Sequence, residues 1–375
     1  MDTFDDIRPY QDDEVGPAIA RLSYDRAFIA FAGRFAAPGL PSQVRALGYP
    51  ALRVLIRRKA KRLRSVADLQ RLMSGYLKAL LERTSDGMTV SGLDDLDPTS
   101  SYLFISNHRD IALDPTLLNY AIWLQGHPTT QIAIGDNLLG TGFLSHLMRL
   151  NKAFLVARDV IGAKAQLQAM RQTSAYMRQT LEAGESVWIA QREGRSKDGM
   201  DRTEPALLKM LQLAYRGDAR AVTDWLKLVR LVPVSITYEI DPCAPNKARE
   251  LYFTAKDGRY HKRPGDDIES IEAGMRGFKG RIHLHFSPPI DGNFGDADEL
   301  ARHLDIQIVS NLVAYPTHHY ARARLGESDA DLTDTSPRGR QAFFDDLKTC
   351  PPEHAPYFLR QYANLVDNQL AVQSG

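Results

Sequence analysis

The chain has 375 residues, 43% of them hydrophobic and 25% charged, with a formal net charge of +1. It is long enough for one large α/β domain with helical additions, and its apolar content supports a sizeable core. The near-zero balance gives no footing for a dedicated nucleic-acid binder. Cys243 and Cys350 show no metal or redox spacing, which suits a reducing compartment. The acidic opening MDTFDDIRPYQDDEVG lacks the order of a signal peptide. No run of about 18 apolar residues occurs, so no transmembrane helix is expected.

Residues 1–50 are mixed, with a short helix expected within RPYQDDEVGPAIARLSYD. From Gly48 the stretch ALRVLIRRKAKRLRSVADLQRLMSGYLKALLERT has helical periodicity, with Leu52, Leu55, Ile56, Leu63, Val66, Leu69 and Leu72 near one side. Its first part carries Arg53, Arg57, Arg58, Lys59, Lys61, Arg62 and Arg64 without an acid. Short apolar runs then read as buried strands at 102–106, 130–135, 153–157, 186–190, 229–240 and 281–287. Helices are expected at 163–184 and 205–217. Strands alternating with helices predict an α/β fold with a mostly parallel central sheet flanked by helices. Residues 242–280 read as an insertion with a charged, mobile loop, and one helix is expected from Asp296 to Arg324. The tail is helical near GRQAFFDDLK and PYFLRQYANLVDNQLA. The expected organisation is an N-terminal helical region at 1–86, an α/β domain at 87–325 and a helical tail at 326–375.

Four strand ends carry candidate chemistry. His108 follows the strand 102–106, and ligands in α/β folds gather at such ends. A neutral imidazole takes a proton from an alcohol when a carboxylate fixes its other nitrogen; Asp110 or Asp114 can be that partner. The triplet His-Arg-Asp also opens the protein-kinase catalytic loop. That loop needs an Asn where Pro115 stands, and no kinase phosphate loop or Asp-Phe-Gly follows, so the kinase is rejected. QREGRSKDG follows the next strand: Arg195 suits a phosphate, Gly194 allows close approach and Ser196 adds a donor. Arg158 ends a third strand. Pro233, inside an apolar run, marks an edge strand or a bulge near a site. His283 and His285 share a strand face without a third ligand and read as a packed or solvated pair. His318 and His319 point to different helix faces.

The order of these blocks — strand-end His and Asp, the Phe…Arg strand, Glu-Gly-Arg-Ser, then Val-Pro-Val…Tyr-Glu — resembles the glycerol-3-phosphate and lysophosphatidic acid acyltransferase superfamily. AFLVAR, EGRSKDG and VPVSITYE resemble its glycerol-3-phosphate branch. The resemblance runs from Gly87 to Ile290. It implies that His108 is the general base and Asp114 its orienting partner. Arg158, Glu193, Gly194, Arg195 and Ser196 would form the acceptor's phosphate pocket, and Pro233 a wall near the acyl chain. It implies direct transfer from a thioester of coenzyme A or acyl carrier protein to a glycerol phosphate hydroxyl. No metal or organic cofactor is implied. Two spacings depart from the family: five residues separate His108 from Asp114 instead of four, and the third block is one residue short before Arg195.

A lipid product would require a membrane. The basic stretch 53–64 is expected to meet an anionic bilayer, making the protein peripheral on the cytoplasmic face. The alternatives are another lysolipid acceptor, or a catalytically silent lipid- or acyl-carrier-binding protein.

Overall fold

A computed structural model describes residues 4–37, 39–136, 142–157, 160–219, 221–263 and 265–374. In chain order the first elements are α1 (Asp12–Leu22), α2 (Arg26–Ala36), α3 (Ser42–Leu47), α4 (Tyr49–Ala60), α5 (Val66–Thr84), β1 (Met88–Ser91), β2 (Leu103–Ser106), α6 (Leu113–Leu124), β3 (Gln131–Gly135), α7 (Phe143–Leu150) and β4 (Ala153–Val156). There follow α8 (Ala163–Glu182), β5 (Val187–Ala190), α9 (Pro205–Leu211), α10 (Val222–Val229), β6 (Leu231–Tyr238), α11 (Ala244–Asp257), α12 (Asp266–Arg276), β7 (Ile282–Phe286), α13 (Ala297–Ser310), α14 (Pro316–Arg324), α15 (Pro337–Thr349) and α16 (Ala355–Ser374).

The chain forms two compact portions, residues 1–76 with 131–176, and residues 77–130 with 177–375. This division does not follow boundaries at 86/87 and 325/326. The tail helices α15 and α16 both pack against α11, within the second portion. In the first portion β3 pairs in parallel with β4, and α1 packs on α4 and α7. Phe28 and Phe31 both pack against Phe143 there.

In the second portion five strands lie in the order β1, β7, β6, β2, β5. Their ladders are parallel except that between β6 and β7. The all-buried β2 and β6 are the continuous apolar runs expected of a strand covered on both faces. β7 alternates buried and half-buried residues, the pattern of a strand with one apolar face.

The α/β architecture with mostly parallel strands agrees with the expectation, and several local features differ. The long basic helix is two helices. Ser65 Oγ accepts from Asp68 N at 3.1 Å, a cap that starts α5 afresh, and Asp68 Oδ2 accepts from Arg64 N at 3.0 Å. The helix expected from Asp296 to Arg324 breaks before Pro316, which opens α14 after an extended Tyr315. The insertion expected at 242–280 holds two helices, α11 and α12. Pro233 is not on an edge: β6 lies between β2 and β7. The Pro233 carbonyl accepts from Ser287 N at 3.0 Å. A residue's N and C=O point the same way across a strand. The missing N–H of Pro233 therefore falls just past the end of β7, where the ladder asks for no donor.

Candidate active site

His108 sits where β2 runs out beside a longer neighbour, β6. Val234 of β6 is level with Ser106, so Ser235–Tyr238 extends beyond it. Asn107 closes the gap: its side chain donates to Ile236 O at 2.9 Å and accepts from Ile236 N at 2.8 Å, imitating a ladder bond. The next residue is thereby turned out of the sheet with its ring edge-on to Trp188, centroids 5.8 Å apart. Trp188 Nε1 donates to Ser106 Oγ at 3.0 Å and is fixed in turn.

His108 Nδ1 lies 2.8 Å from Asp114 Oδ2. The same oxygen accepts from Arg109 N at 2.6 Å and Asp110 N at 2.9 Å, while Oδ1 accepts from Tyr238 OH at 2.8 Å. Asp114 is fully buried in the first turn of α6. Burial alone would raise its carboxyl, but the hydrogen bond and charge of His108, the Asp110 amide and Tyr238 outweigh it and hold the carboxyl below its ordinary value. An ionised Asp114 takes the Nδ1 proton as its partner and leaves Nε2 as the basic nitrogen.

Asp110, the other candidate partner, has a different task. Its Oδ1 accepts from Ala112 N at 2.9 Å and Leu113 N at 2.8 Å, capping the start of α6. Its Oδ2 accepts from the Cys243 thiol at 3.4 Å. Burial first, then repulsion from Asp114, raise its carboxyl. The five-residue spacing is thus taken up by a backbone turn whose two amides both point at Asp114.

The loop after β5 approaches from the other side. Gln191 N donates to Ser106 O at 2.8 Å and Ser196 N to His108 O at 2.7 Å. Ser196 is buried and its Oγ donates to Met200 O at 3.2 Å, so its hydroxyl serves the loop itself. Gly194 has φ +72°, a conformation that favours glycine, and is exposed together with Glu193. Arg195 donates one guanidinium nitrogen to Ser270 Oγ at 3.3 Å; the other, Nη1, is buried without a partner. Asp110 and Arg195 interact electrostatically. Arg158 lies outside the described residues. Pro233 is buried level with Ile105, below the turn that carries His108.

Three participants escaped the sequence reading. Tyr238 ends the apolar run of β6, and only the overhang of β6 past β2 gives its hydroxyl to Asp114. Arg109 is paired with the buried Asp201, far away in sequence. His318 lines a small cavity of 20 Å³ with Arg109, Tyr238 and Gln361. Burial and Arg109 push its pKa down to about 3, so it is neutral. Among the described residues no group of three or more His, Cys, Asp or Glu has a metal-binding arrangement. His283 and His285 instead bond to Ser91 Oγ at 3.1 and 2.8 Å.

No curated protein matches this chain. One solved structure with a similar trace is the crystal structure of the 1-acyl-sn-glycerophosphate (LPA) acyltransferase PlsC from Thermotoga maritima. It is 14% identical, with a TM-score of 0.40, over 84% of this chain and 97% of that one. A family model described as Acyltransferase matches residues 87–236, a segment that starts just before β1, ends within β6 and contains both His108 and Asp114.

Proposed function

We propose that the protein is an O-acyltransferase of glycerolipid synthesis. It would move a fatty acyl group from a thioester of coenzyme A or acyl carrier protein to a hydroxyl of glycerol 3-phosphate or 1-acylglycerol 3-phosphate. The observation that carries this is the His108–Asp114 pair. A buried carboxylate is held by three hydrogen bonds beyond the imidazole, within the segment that matches acyltransferases.

In this reading His108 Nε2 removes the acceptor hydroxyl proton as the oxygen attacks the thioester carbonyl. Asp114 opposes the imidazolium charge that develops. The tetrahedral intermediate collapses, the carbon–sulfur bond breaks, and the thiolate leaves with the proton carried by His108. No acyl-enzyme forms. The unpartnered Nη1 of Arg195 is a buried cationic donor awaiting an anion, which suits the acceptor phosphate. Glu193 and Gly194 would border that pocket, and Pro233 a wall nearer the acyl chain. A silent binding protein would have no need of so fully satisfied a dyad.

The protein would meet the membrane peripherally through α3, α4 and the basic residues that follow. No helix of the described residues is long and apolar enough to cross a bilayer.

The test is thiol release from palmitoyl-coenzyme A and palmitoyl-carrier protein, with each glycerol phosphate as acceptor. Acceptor-dependent release is expected for the wild type. His108→Ala should lower kcat by about 10²- to 10⁴-fold, the range of a positioned base. A folded wild type that releases no thiol with any donor and acceptor pair would sink the proposal.

A further inference from the structure

The C-terminal helix α16 takes no part in the chemistry above, yet its polar face ends on the loop that carries Arg195. Asn364 Nδ2 donates to Asp198 O at 2.7 Å, and Asn368 Nδ2 to Gly199 O at 3.1 Å. Residues four apart share a helix face, and Gln361, three before Asn364, belongs to it too. At Gly199, φ is +79° and a Cβ would lie 2.2 Å from the Gln361 carbonyl oxygen. The turn of the loop therefore rests on the backbone of α16 itself, and the two amides satisfy carbonyls that this close packing would otherwise strand. An amide does so without burying a charge.

The other end of the same loop is tied to the His108 turn by Ser196 N and Gln191 N. The helix is anchored independently of the loop. Tyr362 OH accepts from Asp241 N at 3.0 Å, and Gln369 Nε2 donates to Leu312 O at 2.7 Å. Phe358 and Tyr362 are buried with Phe343 in one cluster. Arg195 thus lies between Gln191 and Ser196, both tied beside the dyad, and two residues beyond Ser196 the loop rests on the tail at Asp198 and Gly199.

We infer that Asn364 and Asn368 are positioning residues for the acceptor: α16 clamps the 191–200 loop in the form that presents Arg195 to the acceptor phosphate. This rests on the reading of Arg195 given above. The tail is then a working part of the acceptor site, acting through the loop without touching substrate.

The experiment compares Asn364→Ala, Asn368→Ala, the double variant and Asn364→Gln, which keeps a donor. Steady-state kinetics would use palmitoyl-coenzyme A with glycerol 3-phosphate or 1-acylglycerol 3-phosphate, with thermal unfolding alongside. The acceptor KM should rise about threefold to tenfold per lost bond while kcat and the donor KM stay within about twofold. Asn364→Gln should recover part of the loss. An active, folded double variant with an unchanged acceptor KM overturns the clamp, as does a loss that falls equally on the donor KM. Should the double variant not fold, Asn368→Ala alone decides by the same criterion. A wild type inactive with both acceptors is a separate failure, that of the acyltransferase reading, and the clamp falls with it.

Discussion

The carboxyl of Asp114 shows how much one residue does here, because its two oxygens have unequal duties. Oδ2 accepts from His108 and two backbone amides, Oδ1 only from the Tyr238 hydroxyl. A side-chain amide in its place would turn its oxygen to the three donors and its nitrogen to Tyr238, whose hydroxyl can rotate to accept. Asp114→Asn therefore keeps the His108 tautomer and loses only the charge opposite the imidazolium. Its kcat should fall by about 10- to 100-fold, with the acceptor KM little changed. Asp114→Ala strands four donors and should be both less active and less stable. The folded carboxyl of Asp114 lies below its unfolded value, so the stability it contributes is complete above the unfolded value and disappears as pH falls through the folded one. Urea titrations of wild type and Asp114→Asn across that acid window should converge as pH falls. Curves that stay parallel would show that Asp114 gains nothing from its setting.

At the scale of elements, α12 reaches the site through a residue with no side chain. A Cβ on Gly274 would lie 2.1 Å from Asp110 Oδ2, and that carboxyl is pinned by the two amides it caps. Gly274→Ala must therefore push the Asp110 turn, or α12, outward. A cost of about 1–3 kcal/mol is expected from such overpacking, and kcat should fall because Asp110 N is also a donor to Asp114. A variant as stable and as active as the wild type would show that α12 yields freely. This dependence was not legible in the sequence, since nothing local to Gly274 announces a neighbour some 160 residues earlier. The six strands that were legible are those whose apolar runs are unbroken or alternate cleanly. β1, with only Met88 and Val90 apolar on an edge, carries no such run. His108 and the Arg195 loop stood out because each follows a buried strand, while the residues alone left Asp110 and Asp114 as rival partners of His108. Tyr238 was not, because its role depends on β6 outrunning β2. The break between α4 and α5 had a readable sign in Ser65 and Asp68, overridden by the strength of the apolar period around it.

For the whole molecule the near-neutral net charge hides a local extreme. Residues 49–64 contain no acid and seven Arg or Lys. Arg57, Arg58, Lys61, Arg62 and Arg64 are exposed, as are Leu47 at 83%, Val54 at 49% and Leu55 at 51%. Basic and apolar side chains open to water on consecutive helices are what an interfacial surface needs: the charges draw it to anionic lipid and the aliphatic groups enter the headgroup boundary. Each basic residue near such a surface contributes roughly 1 kcal/mol before screening, so the patch outweighs a net charge of +1. Binding should therefore require anionic lipid and weaken with salt, since the Debye length shrinks to about 3 Å at 1 M. Flotation with phosphatidylglycerol vesicles should carry the wild type. Leu47→Asp with Leu55→Asp, and separately Arg57→Glu with Arg58→Glu, should each leave most of the protein behind. Both pairs are exposed, so folding should be preserved and thiol release from soluble substrates should be unchanged. If wild type floats equally with phosphatidylcholine alone, or both variants float like wild type, the lipid-facing surface lies elsewhere on the chain.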